Sequence, residues 1–514
     1  MTTIAEPRVN ADIIPAVQEI GDTPEKVLFI GQMLTGSATP GTLVENIGVE
    51  GEEDSLFGAN SFIAGMIRAA RKINVDTQFD AIPLDDNGAG VAATATLAFT
   101  GPASEDGTLF ISVGSMVNYQ FELDITSGDS ATTIAEALEA LIDANTDIPV
   151  SASSSTGTLT LTCRHKGTTG NKIGIRIQGT VAGVGCTLTG FASGATDPVL
   201  TTLFDVIADL RYQNIVWPGA YSKTTVINFL DGRFNAENDV LDGIAITGVT
   251  DSLANHLTAL ASLNSKSLDY FCNETVNTSI YKGSCLFELN DEISSQVAAV
   301  KALRLTDGAD ISRYVVSAAG ALDQFGGMAL ASLPYANTPM FNLPLIDTGL
   351  GFLFSEINQL NDAGGSVIGN NRAGNTVVLG RLLTTYKTDS AGNPDTSFQY
   401  DNYVTTASVC REFMYNNLRA KFAQCRLTSG ALEQGRAMAN AASIAGETVS
   451  LYDSLSDLAL VQGGDTALKF FKNNLTVTLD IANGSTTILM VLPIVVQLRR
   501  MNVVMRLVFE NLSS

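Results

Sequence analysis

The sequence predicts a mixed α/β (α+β multidomain) protein: an α/β core, a β-sandwich-like inserted domain and extended terminal arms. Three observations carry this. Residues 26–87 and 198–345 contain short apolar runs that alternate with amphipathic helices, the rhythm of a parallel sheet covered on both faces. Between them, 88–197 is rich in Gly, Ser, Thr and Ala, with repeated period-two runs that suggest packed antiparallel sheets. Residues 1–25 hold Pro7, Pro15 and Pro24 and show no helical period, so they read as an arm. With 514 residues, 45% of them hydrophobic, the chain has material for several domains at ~100–200 residues each.

The elements follow in order. Lys26–Gly31 is almost wholly apolar and reads as a buried parallel strand, and 33–50 as loop. Ser61–Lys72 has helical spacing with Asn60 or Ser61 as N-cap, and Asn74–Ile82 alternates as a strand. In the insertion, strands are expected at Thr94–Thr100, Leu109–Val113, Tyr119–Ile125, Thr158–Cys163 and Lys172–Gln178, with a helix at Thr132–Ala144. The α/β rhythm resumes with helices near 199–211, 222–232, 251–263 and 292–302 and strands at Asn214–Trp217, Gly243–Thr247 and Ser267–Phe271. The region 346–514 should hold a strand at 381–387, helices near 402–427 and 451–462, and strands at Leu475–Ile481 and Val503–Phe509.

Composition excludes several function classes. The net charge of −23 argues against nucleic acid and against an anionic membrane surface. The best apolar run, 487–496, is interrupted by Pro493 and falls short of the ~18 residues a membrane helix needs. Charge is uneven: residues 1–150 carry −18, whereas Lys469, Lys472, Arg499, Arg500 and Arg506 make the C-terminus basic. That polarity suits head-to-tail association of identical subunits, and equally a plain acidic surface. Six cysteines without a Cys-x-x-Cys spacing, and no signal peptide, read as reduced thiols of a protein made in a cytoplasm.

Catalytic motifs fail. Only His165 and His256 are present, little material for a general base or a metal site. Gly88-Ala-Gly90 precedes a strand where a dinucleotide fold needs a helix, and Gly167–Lys172 lacks the Gly-Lys-Ser/Thr ending of a phosphate loop. Cys163 and His165 read as a surface pair on a hairpin. Asp85-Asp86 and Glu50–Asp54 read as solvated acidic loops without calcium-loop spacing, and Tyr400 and Tyr403 as packing.

The most informative stretch is Gly380–Tyr400, where Arg381-Leu-Leu-Thr-Thr-Tyr386 is followed by the turn cluster Ser390-Ala-Gly-Asn-Pro-Asp395. This segment resembles one shared by contractile phage tail sheath proteins. Pro7–Ile13, Leu28–Gln32, Leu56-Phe-Gly58, Pro83–Asp86 and Gly90–Thr96 resemble the opening of the Mu-like branch of that family. Leu360–Gly364, Arg411 and Phe471–Leu475 also fit, so the resemblance spans most of the chain and is weakest in the insertion.

The resemblance implies a structural subunit, not an enzyme, with no catalytic residues, no cofactor and no metal. It implies an N-terminal linker arm (1–25), a sheath core in two parts (26–87 and 198–345), an outer inserted domain (88–197) and a C-terminal domain (346–514) ending in an exchanged strand at about 496–514. Subunits would polymerise helically around the tail tube and contract to drive it through the host envelope for genome delivery. Arg8, Val9, Ile13 and Ile14 of one arm and Val503, Met505, Arg506, Leu507 and Phe509 of the other would pair with a sheet in neighbouring subunits. The partners implied are other copies of the chain, the tail tube protein, and baseplate and tail terminator proteins, without nucleic acid or membrane insertion. The site of action is the virion, after assembly in the host cytoplasm. The sheath of a headless injection device fits the same residues. A tube or baseplate subunit, and an α/β enzyme with a β-rich binding insert, are the alternatives from other classes.

Overall fold

The computed structural model describes residues 26–74, 77–200, 203–234, 241–305, 335–341, 343–432 and 437–496. Its centre is a parallel sheet in which β1 (Lys26–Gln32) lies between β3 (Gln78–Leu84) and β11 (Asn214–Val216). Beyond β11 come β12 (Ile244–Asp251), β13 (Leu268–Asn277) and β15 (Ser366–Asn370), also parallel. Two short antiparallel strands, β2 (Val44–Ile47) on β3 and β16 (Val377–Leu379) on β15, flank it.

The apolar runs are continuous because both faces are covered. Val27 and Phe29 of β1 point into one core with Phe79 and Ala81 of β3 and Val216 of β11. Leu28 and Ile30 point into the other, with Ile82, Ile215 and Trp217. The first core is roofed by α2 (Phe62–Arg71) and α6 (Asn290–Leu305), through Ile63, Met66, Ile67, Ile293, Val297 and Val300. A short helix, α1 (Glu52–Phe57), precedes α2. Ser61 starts α2 as expected, accepting the Ala64 N–H at 3.2 Å. Gly65 brings α2 and α6 together: a Cβ there would sit 2.7 Å from the Glu292 carboxylate. On the other face lie α4 (Lys223–Arg233) and the 3₁₀ turn Leu203–Ile207. Helix α5 (Leu253–Ala261), capped by Ser252, packs with α7 (Phe354–Asp362) over β13 and β15.

The insertion is two sheets around α3 (Ala131–Asp143). One contains β4 (Ala92–Thr100), β7 (Val150–Ser155), β8 (Thr158–Lys166) and β10 (Gly185–Ala192) in the order β10-β4-β8-β7. The other contains β5 (Gly107–Val113), β6 (Ser115–Ile125) and β9 (Ile175–Gln178), and it is not separate from the core. Strand β14 (Tyr281–Ser284) pairs antiparallel with the end of β13 and with β9, so one twelve-stranded sheet runs from β2 to β6. The C-terminal region has α8 (Asp401–Phe422), the short pair β17 (Arg426–Leu427) and β18 (Met438–Ala439), α9 (Ala441–Asp457), α10 (Asp465–Asn473), and the hairpin β19 (Thr476–Asp480) and β20 (Ser485–Leu489).

Several expectations need correction. The 33–50 loop contains β2, which adds to the sheet edge. The helix expected at 199–211 is the 3₁₀ turn alone among the described residues. The helix expected at 451–462 begins ten residues earlier, where Asn440 and Ser443 form a reciprocal cap. The segment 381–387 is not a strand; it alternates in sequence, but Leu382 through Thr385 are all buried and only isolated bridges form.

Cys163 and His165 are not a surface pair. Both side chains are inside, and burial pushes the Cys163 thiol up to about 12. His165 joins insertion to core: its Nε2 accepts the Phe62 N–H at 3.2 Å, its Nδ1 donates to Asp86 at 3.1 Å, and its ring stacks on Phe62. Asp86 is therefore no solvated loop residue. Burial opposes its charge, but bonds from His165, the Lys166 N–H and Gln32 outweigh that and hold its carboxyl below the usual range. Replacing His165 with Ala would orphan the Phe62 N–H and Asp86 together. We expect a loss of about 2–4 kcal/mol, read as a lower denaturant midpoint at unchanged slope.

Candidate functional site: the joint beneath the long helix and the open hairpin

The Arg381–Tyr386 motif works as a fastener. The Thr385 hydroxyl accepts the Ser265 N–H and donates to the Ser265 carbonyl, both at 3.1 Å, while its own N–H reaches Leu268 O at 3.0 Å. Thr384 faces the other way: its hydroxyl donates to Phe398 O at 2.6 Å and its N–H to Gln399 O at 3.0 Å. One threonine thus ties the segment to the β13 strand start and the other to the chain after the turn. Tyr386 closes the turn, donating to Asp395 at 2.7 Å. Inside it, Asp389 accepts the N–H groups of Ala391 and Asn393 and Gly392 takes a left-handed φ of 84°.

The fastener delivers Asp401, the first residue of α8, to a buried ionic joint. Lys301 of α6 is 1% exposed; its ammonium donates to Asp269 of β13 at 3.1 Å and also to Asp401. Desolvating three ionisable groups is costly unless charge balances inside. Burial, reinforced by the neighbouring Asp401, holds the Asp269 carboxyl well above the usual carboxylate range, with Lys301 opposing. For Lys301, burial favours the neutral amine, but Asp269 and Asp401 reverse this and keep the ammonium charged. The shared ammonium, facing two carboxyl groups away from water, locks helix, strand and long helix together.

A second joint lies further along α8. Asp242 accepts Arg411 at 3.0 Å and also the Ser408 hydroxyl, while Arg211 donates to Ser408 at 2.9 Å and pairs with Glu412. Arg411 thereby acquires a structural role. Tyr400 and Tyr403 pack edge to face at 5.6 Å, as expected of packing residues.

Beyond the joints stands the β19–β20 hairpin. Its five residue pairs, Thr476↔Leu489 to Asp480↔Ser485, are in uninterrupted register. Leu475, Met490 and Leu492 root it in a core with Leu455 and Phe471, where Tyr452 stacks on Phe471 at 4.2 Å. Among the described residues neither strand pairs with a third, so both edges offer unpaired backbone groups.

The arm residues singled out in the sequence, Arg8, Val9, Ile13, Ile14, Val503, Met505, Arg506, Leu507 and Phe509, lie outside the described residues. The sequence reading missed Lys301, Asp269 and Asp242. For the first two a signal existed: a charge within an otherwise apolar run, Leu268–Phe271, and a lysine on a helix whose neighbours are apolar. Among the described residues no group of three or more His, Cys, Asp or Glu could hold a metal, and no helix is long and apolar enough to cross a membrane.

No family model matches the chain. It is 26% identical over 449 residues to the Mu-like prophage FluMu tail sheath protein of Haemophilus influenzae, covering 85% of this chain and 84% of that protein. The chain is thus similar to a Mu-like tail sheath protein. Looser likenesses extend to two solved structures. The sheath tail protein Lin1278 from Listeria innocua is 12% identical, with 92% of each chain covered and a TM-score of 0.47. The helical sheath of the anti-feeding prophage in its contracted state is 10% identical, with 99% of this chain and 100% of that one covered and a TM-score of 0.46.

Two outcomes test the Lys301 joint. Lys301→Met leaves two carboxyl groups facing each other without their cation and should cost about 3–5 kcal/mol in a denaturant titration. Asp269→Asn should show an opposite, pH-dependent effect. A carboxyl whose folded pKa is raised stabilises the fold below its unfolded pKa, and that contribution is lost as pH rises. The variant should therefore gain on the parent as pH increases above about 4, by at most about 1.4 kcal/mol per pH unit. A pH-independent difference would contradict a raised Asp269 pKa.

Proposed function

We propose that this chain is a structural subunit of a contractile tail sheath, polymerising helically around a tail tube and contracting to drive the tube through a host envelope. The observation that carries the reading is its identity with the Mu-like tail sheath relative along 85% of its length. The domain layout follows: a linker arm to residue 25, a core of 26–87 and 198–345, an outer insertion of 88–197, and a C-terminal domain from 346 ending in an exchanged strand at about 496–514.

The physics of assembly is strand addition. Arms from neighbouring copies add to the open edges of β19 and β20, backbone hydrogen bonds supplying adhesion and alternating side chains the register. Such a contact is heterologous and does not close on itself, so it builds a helix of subunits. The acidic first 150 residues and basic C-terminus give these contacts a polarity. Contraction is then a passage from a kinetically trapped extended packing to a lower-energy one, with rigid cores moving and the arms keeping them tethered. The partners are other copies, the tail tube, and baseplate and terminator proteins. The assembled sheath belongs to the virion tail, built in the host cytoplasm. The subunit acts by rearrangement and needs no cofactor.

Negative-stain electron microscopy of the full chain beside one lacking residues 496–514 tests this. Hollow helical cylinders from the intact protein, lost on truncation, are the expected result. Discrete globular particles from both would overturn strand-exchange assembly.

A further inference from the structure

A protein that offers backbone edges for assembly must close the edges it does not mean to use. Strand β7 is an edge strand: it pairs with β8 alone, and its sequence Val150–Ser155 is short, uncharged and rich in serine. The Arg164 N–H bonds to Pro149 O at 2.9 Å, and since antiparallel bonding alternates, residues 151, 153 and 155 bond toward β8. The N–H groups of Ala152 and Ser154 then point outward. Both are occupied. Ala152 N–H donates to Asp143 Oδ1 at 3.1 Å, and Ser154 N–H donates to Glu139 Oε2 at 2.9 Å. The Ser154 hydroxyl donates to the same Glu139 oxygen.

The spacing explains how a helix can do this. Glu139 and Asp143 are one turn apart on α3, a rise of about 6 Å. Alternate strand residues repeat every ~6.8 Å. The helix runs antiparallel to β7, held beside it by Ile134, Leu138 and Ile142, so its carboxylates fall in register with successive outward amides. Each outward amide thus has a side-chain carboxyl oxygen within ordinary hydrogen-bond distance. The other edges are managed differently: β2 is short and bulged, β10 is bulged between Thr189 and Ala192, and β6 exposes Glu122 and Asp124.

We propose that Glu139 and Asp143 guard the β7 edge, filling the bonding positions that a β7 strand from a second copy of this chain would otherwise take. The inference concerns the insertion and does not depend on strand exchange at β19–β20.

The test uses the full chain with Ser153→Cys as a reporter on the exposed edge. In the E139A/D143A background, amide exchange at Ala152 and Ser154 should speed up about tenfold. A disulfide-linked dimer through the introduced thiol should appear and grow with protein concentration. E139Q/D143N keeps oxygen acceptors on both side chains and should behave like the parent. Because the reporter lies in the insertion, the result is independent of whether cylinders form. No more dimer from E139A/D143A than from the parent would overturn the proposal. As much dimer from E139Q/D143N as from E139A/D143A would also overturn it, by assigning the effect to charge.

Discussion

One buried ammonium group ties the long helix α8 to the sheet and to α6. Lys301 lies between Asp269, near the start of β13, and Asp401, the first residue of the long helix. Around it the Thr384-Thr385 pair anchors the chain entering α8, and Asp242 with Arg411 anchors the helix about three turns further on. The open hairpin is rooted against α8 and α9, so its position relative to the sheet descends from that ionic joint. A hydrophobic contact of the same volume is often as stable, but removing one member of a buried ionic cluster leaves its partners uncompensated, so the joint is sensitive to single substitutions.

The insertion shows the same economy of contact. His165 fixes both its tautomer and its neighbours by accepting a backbone N–H from α2 and donating to Asp86. The carboxylate serves His165, Lys166 and Gln32 together, so a residue that reads as surface acid is the knot between β3, β1 and β8.

Much of this was legible in the sequence, and what was not has physical reasons. The central strands and the helices at 62–71, 131–143 and 223–233 declared themselves because burial on two faces, or on one helical stripe, writes a period into the chain. Strand β7 did not, because an edge strand of small polar residues has no apolar alternation to display. Segment 381–387 misled for the opposite reason: it alternates, but threonine hydroxyls that bond backbone on either side let it be buried without a ladder. The members of the ionic joint left a trace in the sequence, but their pairing did not, since Lys301 lies 32 residues from one partner and 100 from the other. The resemblance to tail sheaths identified the right relatives through motifs such as Arg381–Tyr386, whose threonines prove to bond backbone inside a single chain.

Strand β13 belongs to two regimes at once. Its first seven residues pair in parallel with β12, and its last three turn the sheet antiparallel toward β14 and the insertion. Pulling on the insertion therefore loads a continuous ribbon of backbone hydrogen bonds, not only the two covalent connections through which the chain enters and leaves it. Through this shared sheet the insertion is coupled to the core, so a rotation of the core carries β6, at the far end of the sheet, along with it.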